Sequence, residues 1–234
     1  MIKLHARTVK STSRRLLVAV VLSAGFFALS CRPSTASQEQ TSASSGDSTS
    51  LRSDTLQLVF AGDIMTHGPQ IRAAAQANGD YDFTSSFEAV RPLIAQADLA
   101  VGNLETTFGG SPYSGYPMFS SPEALAVALR YSGFDVLTTA NNHSCDRRAY
   151  GITHTIDVLD SLGIATTGSY RTQEERSKRT PLICSVRGVK LAIFAYTYGT
   201  NGLPIPHPTV IDTIDKERIS SDLHRADSLG AEYK

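Results

Sequence analysis

The chain has 234 residues with 22 basic and 22 acidic side chains, so its formal net charge at pH 7 is zero. Residues 1–31 hold five of the basic residues and no acidic one, which leaves 17 basic against 22 acidic residues in the remainder. A net charge of −5 over that remainder excludes a general nucleic-acid-binding protein, which needs a basic patch or stripe. The length indicates one domain with short appendages, and a hydrophobic fraction of 41% is sufficient for a packed core.

Residues 1–31 have the pattern of an export signal. A basic stretch ends at Arg15, the uncharged run "LLVAVVLSAGFFALS" follows, and Cys31 comes next. This run is too short for a comfortable membrane span, but it fits the core of a secretory signal. The ending "ALSC" resembles a bacterial lipobox, whose cysteine receives lipid, so we expect lipidation of Cys31. An ordinary signal peptide and an uncleaved anchor are the alternatives.

The segment 32–55 has the composition of a flexible tether. Half of its residues are serine or threonine, and such a segment cannot bury enough apolar surface to offset its chain entropy. We therefore expect an exported protein of the cell envelope, joined to the membrane by a lipid anchor and a disordered linker. Cys145 and Cys184 lie in the folded part; two buried free thiols are expected there, with a disulfide as the alternative.

From residue 56 onward, strands and helices alternate. Apolar runs predict strands at 56–62, 98–105, 134–140 and 164–168. Helical periodicity and boundary signals predict helices at 85–97, 122–133 and 148–163, and residues 171–179 form either an exposed helix or a loop. Two further apolar runs meet at Arg187 and Gly188 as an antiparallel hairpin would. The alternation indicates an α/β domain, and the hairpin predicts that its sheet is mixed.

Polar side chains follow the first three predicted strands. These are Asp63 after the first, Asn103 and Glu105 at the end of the second, and Asn142 and His143 after the third. In α/β sheets, sites collect at the carboxyl ends of strands. Oxygen and nitrogen donors without a thiolate pair suit magnesium, manganese, iron or zinc, so we expect one divalent metal ion or an adjacent pair.

Each of these residues also has a structural explanation when it is taken alone. Asp63 follows a glycine and can cap the next segment, and the adjacent asparagines are typical of a turn. The combination at three successive strand ends favours a site. The other histidines of the folded region are assigned no function: His67, His154, His207 and His224.

The motifs "AGDIM", "DLAVGNLET", "TTANNHSCD" and "YTYGTNGLP" occur in an order and spacing that resemble the bacterial capsule synthesis protein CapA family. The resemblance covers roughly residues 56–234. It implies the fold of calcineurin-like metallophosphatases, a four-layer αββα sandwich with mixed sheets. It also implies a part in the biosynthesis of capsules of the poly-γ-glutamate type.

The resemblance assigns roles residue by residue. It implies that Asp63 is the first metal-binding aspartate, and that Asn103 and Glu105 stand in the second acidic motif. Asn142 matches the metal-binding asparagine of an asparagine–histidine pair, and His143 matches the histidine that serves the leaving group or phosphate. His143 is therefore the expected catalytic residue.

Two features depart from the phosphoesterase pattern. Met65 stands where that pattern has a histidine, and "GNLE" replaces an aspartate-bearing motif, so a full two-metal site is not matched. The chain ends at "GAEYK", at the start of a predicted strand, and we expect part of the second sheet and of the site to lie beyond Lys234.

The resemblance leaves three functions open. The first is an envelope-anchored capsule biosynthesis protein with hydrolytic or amide-transfer chemistry at its metal. The second is a metal-dependent phosphoesterase, and the third is a non-catalytic subunit that binds or assembles the polymer. The expected partners are the capsule polymer or its precursor, other capsule-synthesis subunits of the envelope and the membrane.

Overall fold

The computed structural model describes residues 55–234. The predicted signal, the lipidation of Cys31 and nearly all of the predicted tether lie outside the described residues. Within residues 55–234, no helix is both long enough and apolar enough to cross a membrane.

A four-stranded parallel sheet forms the centre of the described region. Its strands are β1 (Leu58–Ile64), β2 (Leu99–Leu104), β3 (Val136–Thr138) and β4 (Ala165–Thr167), and they lie side by side in chain order. The residues of β2 are buried except for Asn103, which is partly exposed. An almost continuous apolar run of this kind is typical of a parallel strand covered on both faces. All four predicted strands are confirmed, with a shift of one or two residues at each end.

Four helices cover one face of this sheet. They are α1 (Gly68–Ala74), α2 (Arg91–Gln96), α3 (Ala124–Ser132) and α4 (Arg148–Ser161). Each contributes to one apolar core with the sheet, through residues that include Ala74, Ile94, Leu129 and Leu159. This packing confirms the two longer predicted helices. Helix α1 was not predicted, because its seven residues lack a clear apolar period.

The helix predicted at 85–97 is wrong in its first half. A short 3₁₀ turn spans Thr84–Ser86, and α2 starts only at Arg91. Pro92 lies in the first turn of α2, where its missing N–H costs no hydrogen bond. The proline therefore marks the start of this helix and is not an irregularity in its middle.

The remaining elements follow β4 along the chain. They are β5 (Ser169–Tyr170), α5 (Gln173–Arg179), β6 (Leu182–Val186), β7 (Val189–Ile193), β8 (Val210–Ile211) and α6 (Lys216–Ser228). Strands β5 and β8 pair with each other antiparallel. Segment 171–179, predicted as helix or loop, contains helix α5.

Strands β6 and β7 form the predicted hairpin, and their turn contains Arg187 and Gly188, both with positive φ. The hairpin is a separate two-stranded sheet and does not join the parallel one, so the prediction that it makes the main sheet mixed is wrong. An apolar run predicts a strand, but it does not show which sheet that strand joins. A parallel bridge between Leu191 and Tyr233 lies at the side of the hairpin.

The hairpin packs on the second face of the parallel sheet. A second apolar cluster joins Leu99 and Val101 of the sheet to Leu182 and Leu191 of the hairpin. Ala226 of α6 packs against the outer face of the hairpin. The described residues therefore form layers in the order helices, parallel sheet, hairpin, helix. Cys145 and Cys184 are both buried and free, as predicted.

Candidate functional site

The carboxyl ends of β1 and β2 bring the first predicted site residues together. Asp63 and Asn103 are partners in the register of these two strands, and the Asn103 Nδ2 donates a hydrogen bond to the Asp63 Oδ1 at 2.8 Å. The register of this strand pair shifts between Phe60 and Asp63, before the Asp63–Asn103 pair. Parallel strands in register thus deliver both side chains to one point.

Glu105 follows β2 directly and lies against Asp63. Its backbone N–H donates to the carbonyl of Ile64 at 2.9 Å, and its carboxyl group lies close enough to that of Asp63 to interact with it electrostatically. Burial raises the pKa of Glu105, and the neighbouring carboxyl group of Asp63 raises it further. Two neighbouring carboxylates repel each other unless a proton or a cation lies between them.

His143 and Asp146 form a buried pair after β3. The His143 Nδ1 lies 2.7 Å from the Asp146 Oδ2, and both residues are at most 5% exposed. The opposite ring nitrogen, Nε2, lies 4.0 Å from the Glu105 Oε1. When a carboxylate accepts from Nδ1–H, the tautomer is fixed and Nε2 can accept a proton. Asp146 therefore holds His143 so that its Nε2, which can act as a base, faces Glu105.

A compact turn fixes the orientation of the His143 ring. The Asn141 Oδ1 accepts a hydrogen bond from the His143 N–H at 3.0 Å, and the Ser144 hydroxyl donates to the Thr139 carbonyl at 2.6 Å. The Asp146 Oδ2 also accepts from the Phe119 N–H at 2.7 Å. Burial raises the pKa of Asp146, while the hydrogen bonds from Phe119 and His143 act in the opposite direction.

Asn103 and Asn141 connect the two halves of the site. The Asn103 Oδ1 accepts from the Asn141 Nδ2 and from the Thr138 hydroxyl, each at 3.2 Å. The Asn141 Nδ2 also donates to the Leu104 carbonyl at 2.8 Å. Both ends of the Asn103 amide are thus engaged within the protein. Asn142 instead lines a cavity beside His143 and Asp146.

Sequence reasoning missed the aromatic wall of the site. The ring of Phe119 lies edge-on between two histidines, 4.6 Å from the His143 ring and 5.1 Å from the His67 ring, centroid to centroid. His67 was assigned no function from the sequence, yet only the Phe119 side chain separates its ring from the His143 ring. The only available signal was its position four residues after Asp63, just beyond the end of β1.

The donor set can be tested for its fit to a metal ion. Within residues 55–234, no group of three or more histidine, cysteine, aspartate and glutamate side chains is placed to hold a metal ion. The Asp63–Glu105 carboxyl pair fits one hard divalent cation, whose remaining ligands would be water or substrate oxygens. The described residues do not supply the ligands for a second ion. The metal roles of Asp63, Asn103, Glu105 and Asn142 remain predictions.

The fold and site define an α/β protein with a carboxylate and histidine cluster at the carboxyl edge of a parallel sheet. A family model described as bacterial capsule synthesis protein PGA_cap matches residues 57–232. The chain belongs to this family, which confirms the resemblance seen in the sequence motifs, and its function is related to capsule synthesis.

Two curated relatives come from Sinorhizobium fredii (strain NBRC 101917 / NGR234). The uncharacterized proteins y4uA and y4sH are each 32% identical to this chain over 124 residues. The match covers 49% of this chain and 25% of each relative. The chain thus matches about a quarter of the length of these relatives.

Proposed function

We propose that this protein acts on a capsule polymer of the poly-γ-glutamate type in the cell envelope, through hydrolysis or amide transfer at a single divalent metal ion. The carrying observation is the Asp63–Glu105 carboxyl pair, whose Glu105 lies 4.0 Å from the Nε2 of the His143–Asp146 pair. The four layers of the described region are consistent with the metallophosphatase-like sandwich that we propose for the complete fold. Lipid anchoring through Cys31 belongs to the same proposal.

Asp63 and Glu105 are the residues that would hold the metal ion. A bound divalent cation would relieve the repulsion between their carboxylates, and it supplies polarisation of a carbonyl or phosphoryl oxygen and a lower pKa for bound water. Asn103 keeps the Asp63 carboxylate in place through its 2.8 Å hydrogen bond. This positioning by a neighbouring amide is the kind of support that typically changes metal affinity by 10–100-fold.

His143 is the proposed proton-transfer residue. Its Nδ1 is held by Asp146 at 2.7 Å, so Nε2 can take a proton from water or return one to a departing amine or hydroxyl. General acid–base catalysis by a positioned histidine contributes roughly 10²–10⁴-fold to a rate. Phe119 closes one side of the ring and limits access of solvent to it.

Hydrolysis of a phosphoester is less well supported than chemistry on an amide-linked polymer. No lysine or arginine is among the residues that line the cavity beside His143, and phosphoryl groups are commonly bound by such side chains. The turnover experiment described below distinguishes catalysis from a role in polymer binding alone.

Metal uptake by the full chain tests the proposal. After dialysis against EDTA, we expect wild-type protein to bind about one manganese ion per chain in calorimetry. Asp63→Asn and Glu105→Gln should each weaken this affinity at least tenfold, because each removes one of the two proposed carboxylate ligands. The matched control is Glu88→Gln, at an exposed position outside the site, which should bind as wild type does.

Turnover is tested separately. His143→Gln should retain manganese affinity and lose at least about a hundredfold in the rate of polymer hydrolysis, measured as new amine ends, or of amide transfer, measured as a change in the distribution of chain lengths. Wild-type protein that takes up no metal would overturn the metal site. Metal uptake without turnover of the polymer would leave the polymer-binding role.

A further inference from the structure

Arg147 is a partly buried residue that anchors the loop 106–121. Its Nη2 donates to the Pro112 carbonyl and to the Ser114 hydroxyl, the latter at 3.1 Å. A guanidinium is a planar, permanently charged donor, so it can hold two acceptors in a fixed geometry. Arg147 directly follows Asp146 in the chain, and the anchor therefore begins at the residue next to the site.

The anchored part of the loop is connected to the aromatic wall of the site. Ser114 and Ser120 exchange two backbone hydrogen bonds, at 3.0 and 2.9 Å. Phe119 precedes Ser120, and its ring lies edge-on at 4.6 Å from the His143 ring, centroid to centroid. The Phe119 N–H also donates to the Asp146 Oδ2 at 2.7 Å. A displacement of the anchored part would therefore change how Phe119 contacts the His143–Asp146 pair.

Two glycines leave the space through which the Arg147 side chain passes. A Cβ atom on Gly109 would lie 2.0 Å from the Arg147 Cγ, and one on Gly151 would lie 2.4 Å from the Arg147 Cβ. Gly151 lies within α4, where glycine is unfavourable because it loses more conformational freedom on folding than other residues do. The chain thus has a helix-destabilising residue at a position where any side chain would collide with Arg147.

The contacts of Arg147 suit a role in placing the loop better than a role in stability alone. Its Nε is buried and has no hydrogen-bond partner among residues 55–234. Both acceptors of its Nη2 are uncharged groups of the loop. A buried donor without an acceptor reduces stability. Arg176, by contrast, donates to two carboxylates, which is the arrangement expected of an arginine that matches buried charge.

We propose that Arg147 is a positioning residue for the proton-transfer step. It keeps the loop 106–121 in the place where Phe119 covers one side of the His143 ring. The ring is thereby restricted to the orientation in which Asp146 holds its Nδ1, and water is kept from that side. The role in proton transfer rests on the proposed function, whereas the placement of the loop by Arg147 can be measured without turnover.

An NMR experiment on the full chain in EDTA measures this placement. The readout is the nuclear Overhauser cross-peak between ring protons of Phe119 and His143. We expect the cross-peak to disappear in Arg147→Met, since methionine offers no donor to the loop. Arg147→Lys should retain it, because an ammonium group can still donate to the Pro112 carbonyl. The control Arg148→Met removes the adjacent, exposed positive charge and should keep the cross-peak.

A second variant displaces the arginine without removing its charge. Gly109→Ala places a methyl group where the Arg147 Cγ lies, so we expect it to abolish the cross-peak as well. The matched control is Gly199→Ala, at a glycine with open space around the added Cβ atom. Persistence of the cross-peak in either Arg147→Met or Gly109→Ala, whichever folds, would overturn the proposal. Its loss in Arg148→Met would do the same.

Turnover separates positioning from a purely structural role. Arg147→Met should lower kcat at least about tenfold, because a small misplacement of a catalytic group costs that much or more. KM and manganese affinity should stay near their wild-type values, and Arg147→Lys should restore kcat. An unchanged kcat after loss of the cross-peak would overturn the positioning role. If the wild-type chain shows no turnover, the proposed function fails, while the cross-peaks still decide whether Arg147 places the loop.

Discussion

Two buried polar clusters in this protein differ in how completely their charges are matched. In the first, Arg176 donates from Nε to Asp212 and from Nη2 to Asp222, both at 2.5 Å. Tyr196 donates to Asp222 at 2.8 Å, and Arg218 lies 3.2 Å from Asp212. Every carboxylate in this arginine network faces a cation. The network links α5, α6 and the segment after β8, and its role is therefore structural.

The site cluster has the opposite arrangement. Asp63 and Glu105 face each other, and the free oxygen of Asp146 has no partner in the described region. Unmatched charge reduces stability, and proteins retain it where a ligand, a metal ion or a reacting group supplies the match. Satisfaction of hydrogen bonds, more than burial or charge alone, therefore separates the stabilising cluster from the candidate functional one.

The largest expected effect comes from breaking the arginine network. Arg176→Met leaves Asp212 and Asp222 buried without their shared cation, which typically costs 3–5 kcal/mol. Chemical denaturation should show this loss as a lower midpoint. Lys178→Met in the same helix is the control; its pair with Glu174 is exposed, and its midpoint should not change measurably. An unchanged midpoint for Arg176→Met would show that the network contributes little to stability.

A substitution in the site cluster should act in the other direction. Glu105→Gln removes one of two facing carboxylates and retains a group that can hydrogen-bond to Asp63. In EDTA we expect it to raise the free energy of unfolding by about 1 kcal/mol, as relief of strain at functional sites commonly does. Glu88→Gln serves again as the exposed control. If Glu105→Gln is destabilised instead, the two clusters do not differ as described.

The smallest effect concerns the rate at which the two buried cysteines react. Burial raises the pKa of Cys184 to about 12, and it also raises the pKa of Cys145, so neither thiol is ionised appreciably at pH 8. Cys145 lies in the turn that carries His143, and Cys184 lies between the two sheets. Because local opening needs less free energy than global unfolding, Cys145 should be alkylated at least tenfold faster.

Peptide mass mapping reads each cysteine separately in a chain carrying Cys31→Ser. The same reaction in urea is the control, and there the two rates should become similar. Equal rates in native buffer would mean that the site turn opens only when the whole domain unfolds.

Local sequence patterns located the strands of the central sheet and the polar residues at their ends. Apolar runs that end in polar residues located β1 to β4, and the parallel register seen in the structure brings Asp63, Asn103 and Glu105 to the same edge. The asparagine–histidine motif located His143 for the same reason. These features follow from local periodicity and from a short-range rule about where strands end, and the family motifs reinforced them.

The surroundings of those residues depend on contacts between segments that are distant in the sequence. The loop 106–121 has no period that a sequence pattern can reveal, yet it places Phe119 between His67 and His143. The cavity combines this loop with residues 201–203, about sixty residues beyond His143, and the partner of Arg176 is 36 residues away in the chain. Contacts of this kind depend on how loops fold back over the sheet. Local propensity does not encode them, because their energy comes from packing and charge matching between distant segments.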